Sequence, residues 1–207
     1  MTIAEVLKQY RSEVSDSNKY ISEAFRQDKN GAYILDKSHR SFIVDAAILK
    51  FYKAWETYLE SIFKCFLLGE CTLKGTNIKT FAKARNEKHA TKLLVGINKY
   101  FDWSNPEYVK QLSCLFLEES NIIESTINSI SIELGDLRTI RNASAHLTAT
   151  ARKPLESLYQ RKTGKQMNGV TPYDIILLTE PNSKITYWDF YQRTLDVAAE
   201  NIANGET

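Results

Sequence analysis

Residues 38–68 constrain the fold more than any other stretch of the chain. Val44, Ile48, Phe51, Tyr52, Trp55, Tyr58, Leu59, Ile62, Phe63 and Phe66 recur there at three- and four-residue steps. That is the period of one face of an α-helix. Lys50, Lys53, Thr57, Glu60 and Lys64 hold the opposite side. A face this wide and aromatic must be covered by other apolar elements, so it belongs to a core helix of a bundle. The same need for cover makes the rings core residues rather than a base-stacking platform. Glu56 falls at the boundary of the face and is expected as a solvated rim residue; the other reading has it orienting a catalytic base.

The remainder of the chain also reads as helices. It carries only 8 Gly and 4 Pro in 207 residues, which favours long helices over a turn-rich β fold. Residues 2–28 repeat apolar positions at helical steps, with Thr2 and Glu5 spaced as a capping box. The tetrapeptide at 28–31, Asp-Lys-Asn-Gly, is a stop signal. A helix is expected to continue through 93–101, and 102–106 breaks it. Ser104 or Asn105 can cap the next helix, with Pro106 in its first position. Residues 108–116 give a short amphipathic piece, and 120–132 another helix. Gly135 marks a kink or junction. Residues 155–165 read as a short basic helix ending at Gly164. Residues 173–179 are apolar and β-prone and admit a short strand, and 185–202 close the chain as a helix. The expectation is one all-α domain over 1–207, with its core at 36–152, an N-terminal helix at 2–28 and a C-terminal extension from 153.

Bulk charge narrows the partners. The net charge is only +2, so no global basic field advertises nucleic acid, and any such binding must come from local clustering. One cluster exists. Between 74 and 92, Lys74, Lys79, Lys83, Arg85, Lys88 and Lys92 face Glu87 alone. The run can follow a phosphate backbone or form a solvated helix face, and both readings stand. Three cysteines, Cys65, Cys71 and Cys114, are an odd, sparse set that suits reduced thiols in a cytoplasmic protein. The first ten residues are amphipathic and charged, unlike a secretory leader. The apolar runs are far too short to span a bilayer, so no membrane is expected as a partner.

Chemistry concentrates in residues 133–150, ELGDLRTIRNASAHLTAT, read as one helix. On a 100° wheel, Leu134, Leu137, Ile140, Ser144, Ala145 and Leu147 fall on one broad arc with Arg141 near its middle. Arg138, Asn142 and His146 share the adjoining flank. A guanidinium in an apolar stripe is costly unless it is paired or opens onto a cleft or interface. Local violations of that kind are expected at functional sites. Other chemistries are poorly supplied. His39, His89, His146 and the three cysteines show no zinc-type spacing. There is no Gly-rich phosphate loop, dinucleotide fingerprint or nucleophile elbow. No metal ligand and no cofactor are therefore expected.

An Arg and a His without a metal suit cleavage of RNA by its own 2′-hydroxyl. The substrate carries the nucleophile, a His moves protons, and a guanidinium braces the charged phosphorus. Arg141 and His146 lie about 140° apart around an ideal helix, so one copy builds a poor site. Two copies about a two-fold axis can bring both pairs into one cleft.

The hexapeptide Arg141-Asn142-Ala143-Ser144-Ala145-His146 resembles the signature of HEPN domains, and Ala54-Trp55-Glu56 is similar to the RiboL-PSP type of that family. The resemblance covers roughly residues 36–152. It implies an up-and-down helical bundle with a C-terminal helical extension. It also implies a metal-independent endoribonuclease acting as a homodimer and leaving 2′,3′-cyclic phosphate and 5′-hydroxyl ends. Arg141, His146 and Asn142 would be the catalytic residues; Arg138, Lys83, Arg85 and Lys88 are candidate RNA contacts. Many members are toxins or antiphage effectors, which implies an antitoxin or defence-system partner. In one branch a Tyr two residues after the His is modified by a partner enzyme. Here that position is Thr148, so neutralisation by that route is not expected. Two other readings compete. One is a non-catalytic HEPN-like module that binds RNA or a protein through the 74–92 run. The other is a structural dimer or regulatory subunit with Arg141 paired to Glu56 or Asp136 and His146 hydrogen-bonded at a helix end.

Overall fold

The computed structural model describes residues 1–118, 121–146 and 149–206. Among these the chain is all-helical: α1 (Ile3–Ala24), α2 (Lys37–Leu68), α3 (Glu87–Val95), α4 (Pro106–Phe116), α5 (Ile122–Ser129), α6 (Ser131–Ala145), α7 (Ala149–Thr163), α8 (Pro172–Ile176) and α9 (Tyr187–Asn204). No helix among the described residues is long and apolar enough to cross a membrane. The chain divides into two compact units. The first holds residues 1–11, 55–134 and 194–207; the second holds residues 12–54 and 135–193.

The first unit is built on the aromatic half of α2. Trp55, Tyr58, Leu59, Ile62, Phe63 and Phe66 are all buried, each large side chain contributing about 1.5–3 kcal/mol by leaving water. Tyr10 of α1 packs against Trp55 and Tyr58 with ring centroids at 6.2 and 5.3 Å. The Tyr58 hydroxyl donates to the Ala199 carbonyl at 2.6 Å, which gives this buried phenol its partner. The capping box forms as the sequence indicates: the Thr2 amide donates to Glu5 at 2.8 Å and the Glu5 amide to the Thr2 hydroxyl at 3.3 Å. Asn105 caps α4, with Pro106 in its first turn.

Residues 70–86 run without helical structure, so most of the basic 74–92 run is not the face of a helix. Their amides are satisfied by neighbours instead. Leu73 donates to Ala203, Ala84 to Leu67 and Phe81 to Phe116, each at 2.8 Å. Only from Glu87, capped by the Asn86 side chain, does α3 begin, and it stops at Gly96 (φ 61°) rather than running through 93–101. The 120–132 helix is likewise two pieces. Ile130 ends α5, so the junction lies there and not at Gly135, which sits inside α6.

The second unit assembles the first half of α2 with the later helices. Phe51 meets Trp188 with centroids 5.5 Å apart. The Trp188 indole and the Gln192 amide both donate to Asn18 Oδ1, at 2.8 and 2.7 Å, while Asn18 Nδ2 donates to Gln192 at 2.8 Å. The stretch after Ala24 is a turn closed by a bridge between Gln27 and Tyr33, so α1 ends earlier than 28. Helix α7 runs from Ala149 through Pro154, where the sequence suggests a weaker, later start. The β-prone 173–179 stretch is not a strand. Thr171 and Asp174 form a capping box, Pro172 begins α8, and only Thr179 makes an isolated bridge, to Thr186. The start signals prevail over the apolar run because a strand over 173–179 without a partner strand would leave its ladder groups unpaired.

Asp136 of α6 is the centre of this unit's polar packing. It is 2% exposed and receives Lys162 at 2.6 Å, the Tyr191 hydroxyl at 3.2 Å and the Arg161 guanidinium. A buried carboxylate with this many donors is tolerable; a buried cation stripped of its carboxylate is not. Asp136→Ala is therefore expected to destabilise the protein by about 3–5 kcal/mol. Arg161→Ala should cost under about 1 kcal/mol, because the Arg161 side chain is 62% exposed and screened by water. Urea denaturation of the two variants tests the contrast.

Candidate functional site

The motif lies on the last turn of α6. Its helix does not continue to 150 as the sequence suggests; it ends at Ala145. The His146 amide still closes the last turn by donating to the Asn142 carbonyl at 3.0 Å, so His146 stands at the helix end and not on its flank. Its side chain is exposed. Leu147 and Thr148 lie outside the described residues, and with them the position discussed above for modification.

The buried face of α6 is also turned relative to the expected arc. Asp136 and Ala143 are buried and Ala145 is exposed, alongside buried Leu134, Leu137 and Ile140. This rotation puts Arg141 at the edge of the face, half-buried, rather than in its middle. From there its Nη1 donates to the side-chain oxygen of Asn142 at 3.1 Å. Arg138 is half-buried on the Asn142 flank, and neither Arg138 nor Arg141 is free of other partners. Arg141, Asn142, Arg138 and His146 all belong to the second unit.

Two carboxylates shape this helix, and sequence reasoning assigned a role to neither as a site group. Asp136 is the compensated one. Its donors come from α7 and α9, which leaves it engaged by other cations than Arg141. A signal was present: on the wheel Asp136 falls between Ile140 and Ala143, a carboxylate within an apolar arc. Asp45 of α2 is the uncompensated one. Its carboxyl faces Ser144 of the motif, and burial raises it from the ordinary carboxylate range to about 6, the Ser144 hydroxyl pulling weakly the other way. Asp45 Oδ1 and Ser144 Oγ are both buried atoms, and neither closes a hydrogen bond of ordinary geometry. In the sequence, Asp45 sits at the edge of the aromatic face beside Tyr52, where a charged rim residue draws no notice.

The other sequence candidates fall in the first unit. Lys83 and Arg85 lie on the non-helical 70–86 segment and Lys88 in the first turn of α3; all three are exposed. Lys74 and Lys79 are engaged by Glu206 and Glu118. The His89 ring accepts the Arg85 amide at 3.1 Å, so it serves as a local cap. Glu56 is buried at 9% exposure, not a solvated rim residue, because it lies beside buried Tyr52 and Phe63 around the helix. Among the described residues no group of His, Cys, Asp or Glu converges as metal ligands. No family model matches the chain, and no curated protein or solved structure matches it.

The environment of Asp45 has a direct thermodynamic consequence. A carboxyl that binds its proton more tightly folded than unfolded adds stability below its unfolded value, near 3.8, and loses it as pH rises through about 6. At pH 7.5 the ionised group is a cost. Asp45→Asn should then raise stability at pH 7.5, by no more than about 1–2 kcal/mol because water screens the partly exposed carboxyl, with the gain fading toward pH 4. Thermal melts of both proteins across that range measure it.

Proposed function

We propose that this chain is a HEPN-type, metal-independent endoribonuclease of the cytoplasm that acts as a homodimer, in the role of a toxin or antiphage effector held in check by a partner protein. The observation that carries the reading is the Arg141–Asn142 hydrogen bond on the last turn of α6, followed by an exposed His146 at the helix end, in an all-helical chain. The likeness of this hexapeptide to the HEPN signature supplies the reaction.

In that reaction the ribose 2′-oxygen attacks the adjacent phosphorus and the bond to the 5′-oxygen breaks. His146 takes the proton from the 2′-hydroxyl or delivers one to the leaving oxygen; exposure and a helix-end position leave its ring accessible to RNA. Arg141 braces the phosphoryl oxygens as charge builds, and Asn142 holds the guanidinium through its side-chain oxygen. Arg138 is a candidate phosphate contact on the same flank. One His and one Arg at diverging positions favour a site completed by a second copy. An apolar stripe on the same unit supports that arrangement. Phe42, 75% exposed, shares a face of α2 with Ala46 and Leu49, beside Asp45 and hence beside the motif's Ser144.

A non-catalytic reading is favoured by one observation. Lys83, Arg85 and Lys88 carry exposed charges on the basic 74–92 stretch, which suits contact with a phosphate backbone whatever follows.

Incubation with RNA in EDTA should give 2′,3′-cyclic phosphate ends and leave DNA intact. Arg141→Ala and His146→Ala should each lower the rate on the order of 10²–10⁴-fold without dissolving the dimer, and Phe42→Glu should dissolve it and lose cleavage together. Intact RNA, or cleavage that survives His146→Ala, overturns the nuclease reading. For RNA affinity, replacing Lys83, Arg85 and Lys88 by Ala should reduce the slope of log affinity against log salt by about 0.7 per cation for a single strand. An unchanged slope removes these residues from the contact surface.

A further inference from the structure

Two polar atoms at the end of α6 are buried without closed hydrogen bonds, Asp45 Oδ1 and Ser144 Oγ. They face one another across α2 and α6, within the second unit. Ser144 lies three residues after Arg141 and two before His146, in the turn that the His146 amide closes. We propose that Asp45 and Ser144 are a positioning pair: the carboxylate holds the Ser144 hydroxyl, anchors the last turn of α6 to α2, and so fixes where His146 and Arg141 are presented.

Three physical points favour this over mere packing. First, an apolar pair of the same size would hold the two helices more cheaply than a carboxyl that burial disfavours in its charged form. A desolvated acid set against a candidate motif is the arrangement found at functional sites. Second, the backbone carbonyls at a helix C-terminus already carry partial negative charge. A carboxylate there adds to it and favours a positively charged group at that end; Arg141 lies one turn before Ser144. Third, the burial of α6 stops at Ser144. Ala145 and His146 are exposed, so their place depends on Ser144 and Ala143.

The anchor itself does not require RNA chemistry; its effect on cleavage rests on the nuclease reading above. The test is a double-mutant cycle, Asp45→Ala, Ser144→Ala and both, with Asp45→Asn as the variant that keeps an acceptor. Amide hydrogen exchange at Ala145 and His146 is read by NMR on the intact protein. Each alanine variant should speed that exchange about tenfold, the loss of the contact between carboxylate and hydroxyl. The double variant should be no faster than either single, and Asp45→Asn should recover part of the protection. On RNA the same variants should lower kcat with KM held, in the same non-additive way. Unchanged exchange at His146, or single effects that add, overturns the pairing. If the wild type leaves RNA intact while exchange follows the cycle, the nuclease reading falls and the anchor stands.

Discussion

A 32-residue helix with one continuous aromatic face sets the terms for everything else in this protein. At 1.5 Å per residue it is about 48 Å long, more than one small core can cover. The chain answers with two cores, each taking its own part of α2. One surrounds Trp55, Tyr58 and Phe63; the other surrounds Val44, Ile48 and Phe51. Helices α1, α6 and α9 also contribute residues to both units. The polar contacts that accompany this burial are specific to each unit. Arg11 pairs with Asp196 and Glu200 in the first, and the Asn18, Trp188 and Gln192 amide cluster lies in the second.

The helix that carries the motif shows how differently two carboxylates can be treated by one fold. Asp136 is buried and fully served by a Lys, an Arg and a Tyr. Asp45 is partly buried and served by a hydroxyl that does not close on it. The first arrangement welds α6 to α7 and α9. The second leaves a charge that costs stability at neutral pH beside the residues with the best claim to chemistry. Stability and function are often at odds in such places, and the end of α6 has the marks of that conflict: an exposed His, a guanidinium at the edge of the core, and two unsatisfied oxygen atoms.

The two sets of candidate residues divide between the units. Arg138, Arg141, Asn142 and His146 stand on the second, while Lys83, Arg85 and Lys88 stand on the first. Within its own unit each set is coherent. The motif residues share one helix end, and the cations project from a segment whose backbone is tied to α2, α4 and α9. In the proposed reading the first set acts on phosphate and the second attracts it. The exposed Phe42 stripe stands on the same unit as the motif.

The sequence by itself determined the helical character, the aromatic buried face of α2 apart from Glu56 at its edge, the capping box at Thr2 and the start of α4 at Pro106. Those features depend on neighbours within one or two helical turns, and spacing within the chain encodes such neighbours directly. Tertiary structure alone decided the rest. It ended α6 at Ala145 and turned its buried face so that Arg141 moved to the edge. It left 70–86 without a helix because partners elsewhere satisfied that backbone. It also paired Asp136 with residues 25 and 55 positions away and set Asp45 against Ser144. The fate of a buried charge depends on which groups arrive from distant parts of the chain, and no local periodicity carries that information.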